Sequence, residues 1–291
     1  MRRVAAAVVL FASLLGSTTS LAASAAHPEL RLARDGVLLG AGFALMGSSQ
    51  FLEVTIQSVP PEGLDPAEIS WSFDRDQIGH LDSDAVPVSD MASAAAFAYP
   101  MVLAFVSQPS GERTKGTLRR ALVYVEAYTL ATGLATLIKN SADRPRPYTY
   151  LSDADRPDDA TYDVTEKEAF QSFPSSHAST SFCGAAFAMT DHLLTRPDAG
   201  WLENVGVSFT GGLLAGMTST LRVRAGKHFP SDTIAGGAIG MASGIAVPLA
   251  HKYVIPSGLR APGPSDGAWL QSLVGLCAGV GAGIAVAEAA Y

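Results

Sequence analysis

The chain has 291 residues, 48% of them apolar and only 16% charged, with a formal net charge of −7 and a mean hydropathy of +0.22. Soluble globular domains carry about 25% charged residues, so this sequence is depleted in charge and long enough for one large or two small domains. The acidic balance excludes a nucleic-acid partner, which needs a basic face, and any anion site has to be a local cluster of cations.

At the N-terminus, Arg2 and Arg3 precede an apolar run at 4–15, and Ala23, Ser24 and Ala25 offer small residues for cleavage. Residues 1–25 therefore read as a secretory signal peptide, with an uncleaved anchor helix as the alternative. Seven apolar stretches follow, at 37–57, 91–108, 120–138, 178–194, 204–221, 233–250 and 268–287. Their lengths suit helices able to cross a bilayer, which takes about 20 residues. Gly236, Gly240 and Gly244 recur every four residues, as do Gly275, Gly279 and Gly283, giving smooth faces for close helix packing. With no strand-like alternation and no internal repeat, the expected fold is all-α, a multi-pass helical bundle. Its expected division is 26–90 (an apolar segment and an acidic external loop), 91–254 (a catalytic helical domain) and 255–291 (a linker and a last apolar helix).

Several single residues qualify that outline. Glu126 lies inside 120–138, where an unpaired carboxylate at bilayer depth costs about 2.5–3.5 kcal/mol. It must face a partner inside the bundle or belong to a soluble helix. Pro100 interrupts 91–108. Cys183 and Cys277 sit in apolar segments and read as small core or lipid-facing residues. Arg113, Lys115, Arg119 and Arg120 mark the linker at 109–119 and its neighbour as cytoplasmic, while 58–90 and 139–176 are acid-rich like external loops. After a cleaved signal, this polarity holds only if 37–57 does not cross. Its run Gly47, Ser48, Ser49, Gln50 and its Glu53 make it the poorest span. The segments 139–176 and 222–232 then share the outer face.

Three stretches concentrate chemistry. In the first, Lys139 ends an apolar helix, and Arg144 and Arg146 each precede a proline that fixes chain direction. A guanidinium so held can grip a tetrahedral oxyanion through two parallel bonds. Next come Pro174, Ser175, Ser176 and His177, immediately before an apolar run. The free N–H groups of a helix start favour an anion there. A serine N-cap explains Ser175 or Ser176 but leaves the adjacent histidine unexplained. In the third, Arg222, His228 and Asp232 lead into a helix whose first turn holds Pro230. A carboxylate at Asp232 can accept a hydrogen bond from one ring nitrogen of His228, leaving the other free to attack.

Taken in order, Lys139-x6-Arg146-Pro147, Pro174-Ser175-Ser176-His177 and Arg222-x5-His228-x3-Asp232 resemble the three-part signature of the type-2 phosphatidic acid phosphatase and vanadium haloperoxidase superfamily. The resemblance covers about residues 90 to 252. It implies that His228 is the nucleophile, that Asp232 orients it, and that His177 protonates the leaving alcohol and then activates water. It further implies a phosphate cradle of Lys139, Arg146, Ser175 and Arg222, with backbone N–H groups near Ser176. Leu221 stands where the family usually has serine, losing a supporting hydroxyl. Ser176 stands where it usually has glycine, leaving less room for close backbone approach. Arg144 competes with Arg146, and the six-residue spacing selects Arg146.

Fixed cations stabilise charge on the equatorial phosphoryl oxygens, so the chemistry calls for no metal and no cofactor. The aspartates within 151–163 lack the ligand spacing of a calcium loop. His80, His192 and His251 carry no motif and read as structural. The acid and base roles require His228 neutral and His177 protonated, hence a bell-shaped pH profile. The expected function is a bacterial-envelope phosphatase on a lipid-linked phosphate or pyrophosphate, in the inner membrane with its site facing the periplasm. A soluble periplasmic acid phosphatase is the alternative, and a vanadate-dependent haloperoxidase ranks below it because the chain is short for that group. A membrane scaffold with a degenerate site is disfavoured, since every reacting residue is present.

Overall fold

Alanine and glycine, rather than large aliphatic side chains, line the closest helix contacts in this protein. A computed structural model describes residues 26–255 and 261–291, so the signal segment expected at 1–25 lies outside the described residues. The described helices are α1 (Leu32–Ser48), the single turn α2 (Ser72–Arg75), α3 (Ala85–Val106), α4 (Arg113–Ala142), α5 (Ser176–Thr195), α6 (Trp201–Arg224), α7 (Pro230–Ala250) and α8 (Asp266–Ala290). A two-residue antiparallel ladder, β1 (His27–Pro28) with β2 (Tyr253–Val254), accompanies this all-α bundle.

The apolar stretches found the helices but not their ends, because polar capping residues lie outside an apolar window. The stretch at 37–57 is the largest discrepancy: α1 starts at Leu32 and ends at Ser48, followed by a 3-10 turn at Ser49–Phe51 and non-helical chain. α3 begins at Ala85, so the expected boundary at residue 91 falls inside it, and the helix continues through Pro100.

α5 is the central helix, buried along nearly all its length and flanked by α3, α4, α6 and α7. Gly236, Gly240 and Gly244 of α7 lie against the backbone of α5. A Cβ on Gly244 would stand 2.5 Å from the Cys183 carbonyl oxygen, and Gly236 and Gly240 meet the carbonyls of Ser175 and Ser179 as closely. Gly275, Gly279 and Gly283 of α8 meet α6 in the same way. Such contact fixes axial register, since sliding by one residue would drive a side chain into the facing backbone. It sets the start of α7 beside the start of α5, where the Ser175 N–H donates to the Asp232 carbonyl at 2.9 Å. The antiparallel succession then gathers the N-termini of α3, α5 and α7 and the C-termini of α4 and α6 at one end.

Among the described residues, four helices are long and apolar enough to cross a membrane: α3, α4 with the turns reaching Tyr150, α7 and α8. α5 and α6, whose apolar stretches at 178–194 and 204–221 are also long enough by sequence, are not among them. They bury Asp191, His192, Asn204 and Arg222 among apolar core residues, while Glu203 and Arg224 are partly exposed. α1, the poorest span by sequence, is also outside the four. The outer surface exposes Phe97, Phe105, Leu134, Ile234, Leu270 and Val274. Cys183 is buried, Cys277 exposed, and both are free. Glu126 is fully buried, its Oε2 3.2 Å from Nε2 of His251.

Candidate active site

At the gathered end, the turn between α6 and α7 carries His228. Pro230 occupies the first position of α7, where its missing N–H costs nothing. His228 is fully buried, and its Nδ1 lies 2.7 Å from the Ser172 carbonyl oxygen. That acceptor places the ring proton on Nδ1, leaving the Nε2 lone pair unprotonated. No group among the described residues bonds Nε2. Burial, then the charges of Arg146, Lys139 and Arg222, hold this imidazole well below its ordinary pKa, so it is neutral.

The direct His228–Asp232 bond expected from the spacing is not made. The Asp232 carboxylate stands 3.7 Å from Nδ1 and instead accepts from the Phe229 N–H at 2.8 Å, the Ser172 hydroxyl at 2.5 Å and Arg144 Nη1 at 2.5 Å. It therefore acts on His228 through Ser172, whose hydroxyl it holds and whose carbonyl holds the ring. Arg144 continues the chain of contacts, with Nη2 on Asp74 Oδ2 at 2.8 Å. Asp74 also accepts from the backbone N–H of Ser231 at 3.0 Å and from its hydroxyl at 2.5 Å. The competition between the two arginines resolves into different tasks. Arg144 clamps two buried carboxylates, while Arg146 belongs with the other cations. Asp143, in the left-handed region at φ 45°, ends α4 and turns the chain toward this clamp.

Arg146, Arg222 and Lys139 surround His228 closely enough that all three depress its basicity. Arg146 is fixed by the carbonyls of Glu168 (2.6 Å) and Lys227 (3.0 Å). Arg222, almost fully buried, reaches Ser89 Oγ at 3.4 Å and Asp90 Oδ1 at 3.3 Å on α3, and its Nε is without a hydrogen bond among the described residues. Ser175 is the N-cap of α5, its Oγ accepting from the Ala178 N–H at 3.3 Å, which leaves the hydroxyl proton free to donate. Ser176 is the first residue of α5, with its backbone at the helix start.

His177 follows on the same turn, with Nε2 3.2 Å from Asp90 Oδ1. Two fields compete there. Burial, then the charges of Arg222, Lys139 and Arg146, push its pKa down to about 3, while the Asp90 carboxylate favours the charged ring. Three cations and burial outweigh one half-exposed carboxylate. The protonated His177 required by the acid role is thus corrected to a neutral one when only protein groups surround it.

Several members of this constellation escaped sequence reasoning: Asp74, Ser89, Asp90, Ser172, Lys227 and Ser231. Asp90 had a signal, a lone acid just ahead of an apolar run, but Asp74 lies in the single turn α2 and Ser172 in a loop, neither with a motif. Lys227 is buried, donating to the Thr161 carbonyl with its Nζ 3.6 Å from the Tyr162 ring centre and 4.9 Å from that of Tyr148. It closes the loop at 160–170 over the site. Tyr148, Tyr162 and Phe170 are buried together in one apolar cluster, and Trp71 is exposed.

Residues 120–256 match the profile of the PAP2 superfamily, the type-2 phosphatidic acid phosphatase superfamily whose motifs the sequence carries. The matched segment spans every candidate from Lys139 to Asp232, and the superfamily implies phosphatase or related phosphoesterase chemistry. No curated protein and no solved structure matches the chain.

Proposed function

We propose that this chain, PAP2-like over residues 120–256, hydrolyses a lipid-linked phosphate or pyrophosphate monoester through a phosphohistidine on His228. The observation that carries this reading is the His228 Nε2, a buried lone pair with no hydrogen bond, facing the charges of Arg146, Lys139 and Arg222. In the first step Nε2 attacks phosphorus in line, the P–O bond to the alcohol breaks, and that oxygen takes a proton from His177. In the second, water attacks phosphorus, His177 takes its proton, the P–N bond breaks, and inorganic phosphate leaves.

Lys139, Arg146 and Arg222, with the Ser175 hydroxyl and the amides at the start of α5, hold the equatorial oxygens, where charge accumulates in the transition state. A dianionic phosphoryl group among these cations offsets most of their field at His177. It thereby restores the proton that the acid role requires. Asp90 holds the side of Arg222 that a phosphoryl oxygen would take, and its displacement is part of binding.

A lipid-linked substrate, rather than a soluble one, is supported by the four apolar helices. A groove of about 520 Å³ also runs between α6, α7 and α8, lined by Val223, Ile234, Met241 and Ile284 with Phe182 of α5. Val223 adjoins Arg222 in sequence, so an acyl or prenyl chain in this groove would leave its head group beside the cations. An envelope location with the site on the outer face follows the charge polarity of the loops.

The test is phosphate release from a panel of lipid phosphates and pyrophosphates in detergent under chelator, comparing the native protein with His228→Ala. A base-stable, acid-labile phosphoenzyme is expected in the native protein alone. Undiminished release by His228→Ala would overturn the assignment.

A further inference from the structure

The opposite end of the bundle holds a second cluster that the phosphatase chemistry does not use. Asp35 on α1, Glu126 on α4 and His251, just past the end of α7, are all buried, and one donor atom from each lies within 4.8 Å of the others. Along α4, Glu126 stands 13 residues before the cradle's Lys139, about 20 Å of helix.

His251 Nδ1 lies 2.8 Å from the Val247 carbonyl, an arrangement that keeps the proton on Nδ1 and turns the Nε2 lone pair toward the carboxylates. Metal-bound histidines are oriented in this way by their second nitrogen. Nε2 stands 3.4 Å from Asp35 Oδ1 and 3.2 Å from Glu126 Oε2. Two donors on one tetrahedral ion with bonds of about 2.0–2.1 Å lie about 3.3–3.4 Å apart, close to the 3.4 and 3.2 Å that separate Nε2 from the two carboxylates. A proton shared between these groups would require an aligned hydrogen bond. Yet neither oxygen of Glu126 nor His251 Nε2 makes one among the described residues.

The neighbouring buried acid shows what this chain does when it pairs a carboxylate with protein groups. Asp191 receives Arg120 on one oxygen and the Tyr253 hydroxyl, at 2.8 Å, on the other. Glu126 has been given nothing equivalent. Asp35 is held by the Arg31 N–H at 2.6 Å and Arg34 Nε at 2.8 Å, contacts that aim it as outer partners aim a metal-ligating carboxylate.

We propose that Asp35, Glu126 and His251 bind one divalent first-row cation, with zinc the best fit to one imidazole nitrogen and two carboxylate oxygens. The ion ties α1 and the segment after α7 to α4. It is a structural site, separate from the phosphate cradle.

The experiment uses the full-length protein in detergent, stripped with chelator and titrated with Zn²⁺ or with Co²⁺ as a coloured probe. One equivalent is expected to bind, with tetrahedral-type visible absorption from cobalt and a zinc-dependent rise of several degrees in the thermal midpoint. Both responses should be lost in Glu126→Gln and in His251→Gln. In chelator, Glu126→Gln should be at least as stable as the native protein, because it removes an unpaired buried charge, and zinc should reverse that order. The proposal is overturned if the native protein binds well under one equivalent, or if it binds one that both variants retain. Should either variant fail to fold, the stoichiometry and cobalt spectrum of the native protein decide alone.

Discussion

Replacing Arg144 with methionine tests the architecture of the site most directly, because that side chain joins two fully buried carboxylates. Its Nη1 lies 2.5 Å from Asp232 and its Nη2 2.8 Å from Asp74. Two charge-assisted hydrogen bonds at about 1.5–3 kcal/mol each give a gross loss of about 3–6 kcal/mol. Arg144 is a quarter exposed, and both acids keep other donors in Ser231, Phe229 and Ser172. The net cost therefore falls near 3 kcal/mol, the lower end for breaking a buried pair by removing one partner. In a domain of this size that lowers the thermal midpoint by about 6–12 °C. Activity should suffer as well, since Asp232 positions Ser172 and Ser172 positions His228. We expect kcat to fall at least about tenfold, equivalent to roughly 1.4 kcal/mol in the barrier, with KM little changed. Adding Asp74→Asn should recover part of the stability by removing one stranded charge, so the double variant is less destabilised than the sum of the single ones. Thermal unfolding in detergent and steady-state phosphate release read both effects. An Arg144→Met protein within 1 kcal/mol of the native one, with native kcat, would refute the clamp.

Three further outcomes follow from separate parts of the structure. His177→Asn should slow hydrolysis of an alkyl phosphate by about 10²–10⁴-fold yet spare an aryl phosphate whose leaving group needs no proton. Equal losses on both would remove His177 from the acid role. Gly240→Ala should cost about 1–3 kcal/mol through overpacking, because its Cβ meets the Ser179 carbonyl. Gly281→Ala, with open space around it, should be neutral or stabilising, and the difference is read from paired thermal midpoints. For Lys227, burial and then the charges of Arg146 and Arg222 hold the amine down to about 7, below its ordinary 10.5. Between those values the unfolded chain binds more protons than the folded one, so this residue makes stability rise with pH. Lys227→Met should flatten the climb of the thermal midpoint above pH 7, and an unchanged slope would discount the shift.

What the sequence determined by itself was local. Apolar runs of helical length located the helices, Pro230 and Ser175 marked where two of them start, and the glycine spacing marked α7 and α8 as having faces for close packing without naming their partners. The motif cations and both histidines could be named because their spacing along the chain is itself the signal. Tertiary structure alone decided who holds whom. The acceptor for His228 is the backbone carbonyl of Ser172 rather than Asp232, and a backbone carbonyl has no sequence signature. Asp74 reaches the site from the single turn α2, 157 positions before its partner Ser231, and the field at His177 sums cations from two distant segments. Glu126 announced that it needed a partner, but only the meeting of α1, α4 and the end of α7 supplied Asp35 and His251. Helix formation depends on neighbours within a few residues, whereas hydrogen-bond partnership and the electrostatic field depend on distances that exist only once the chain has folded.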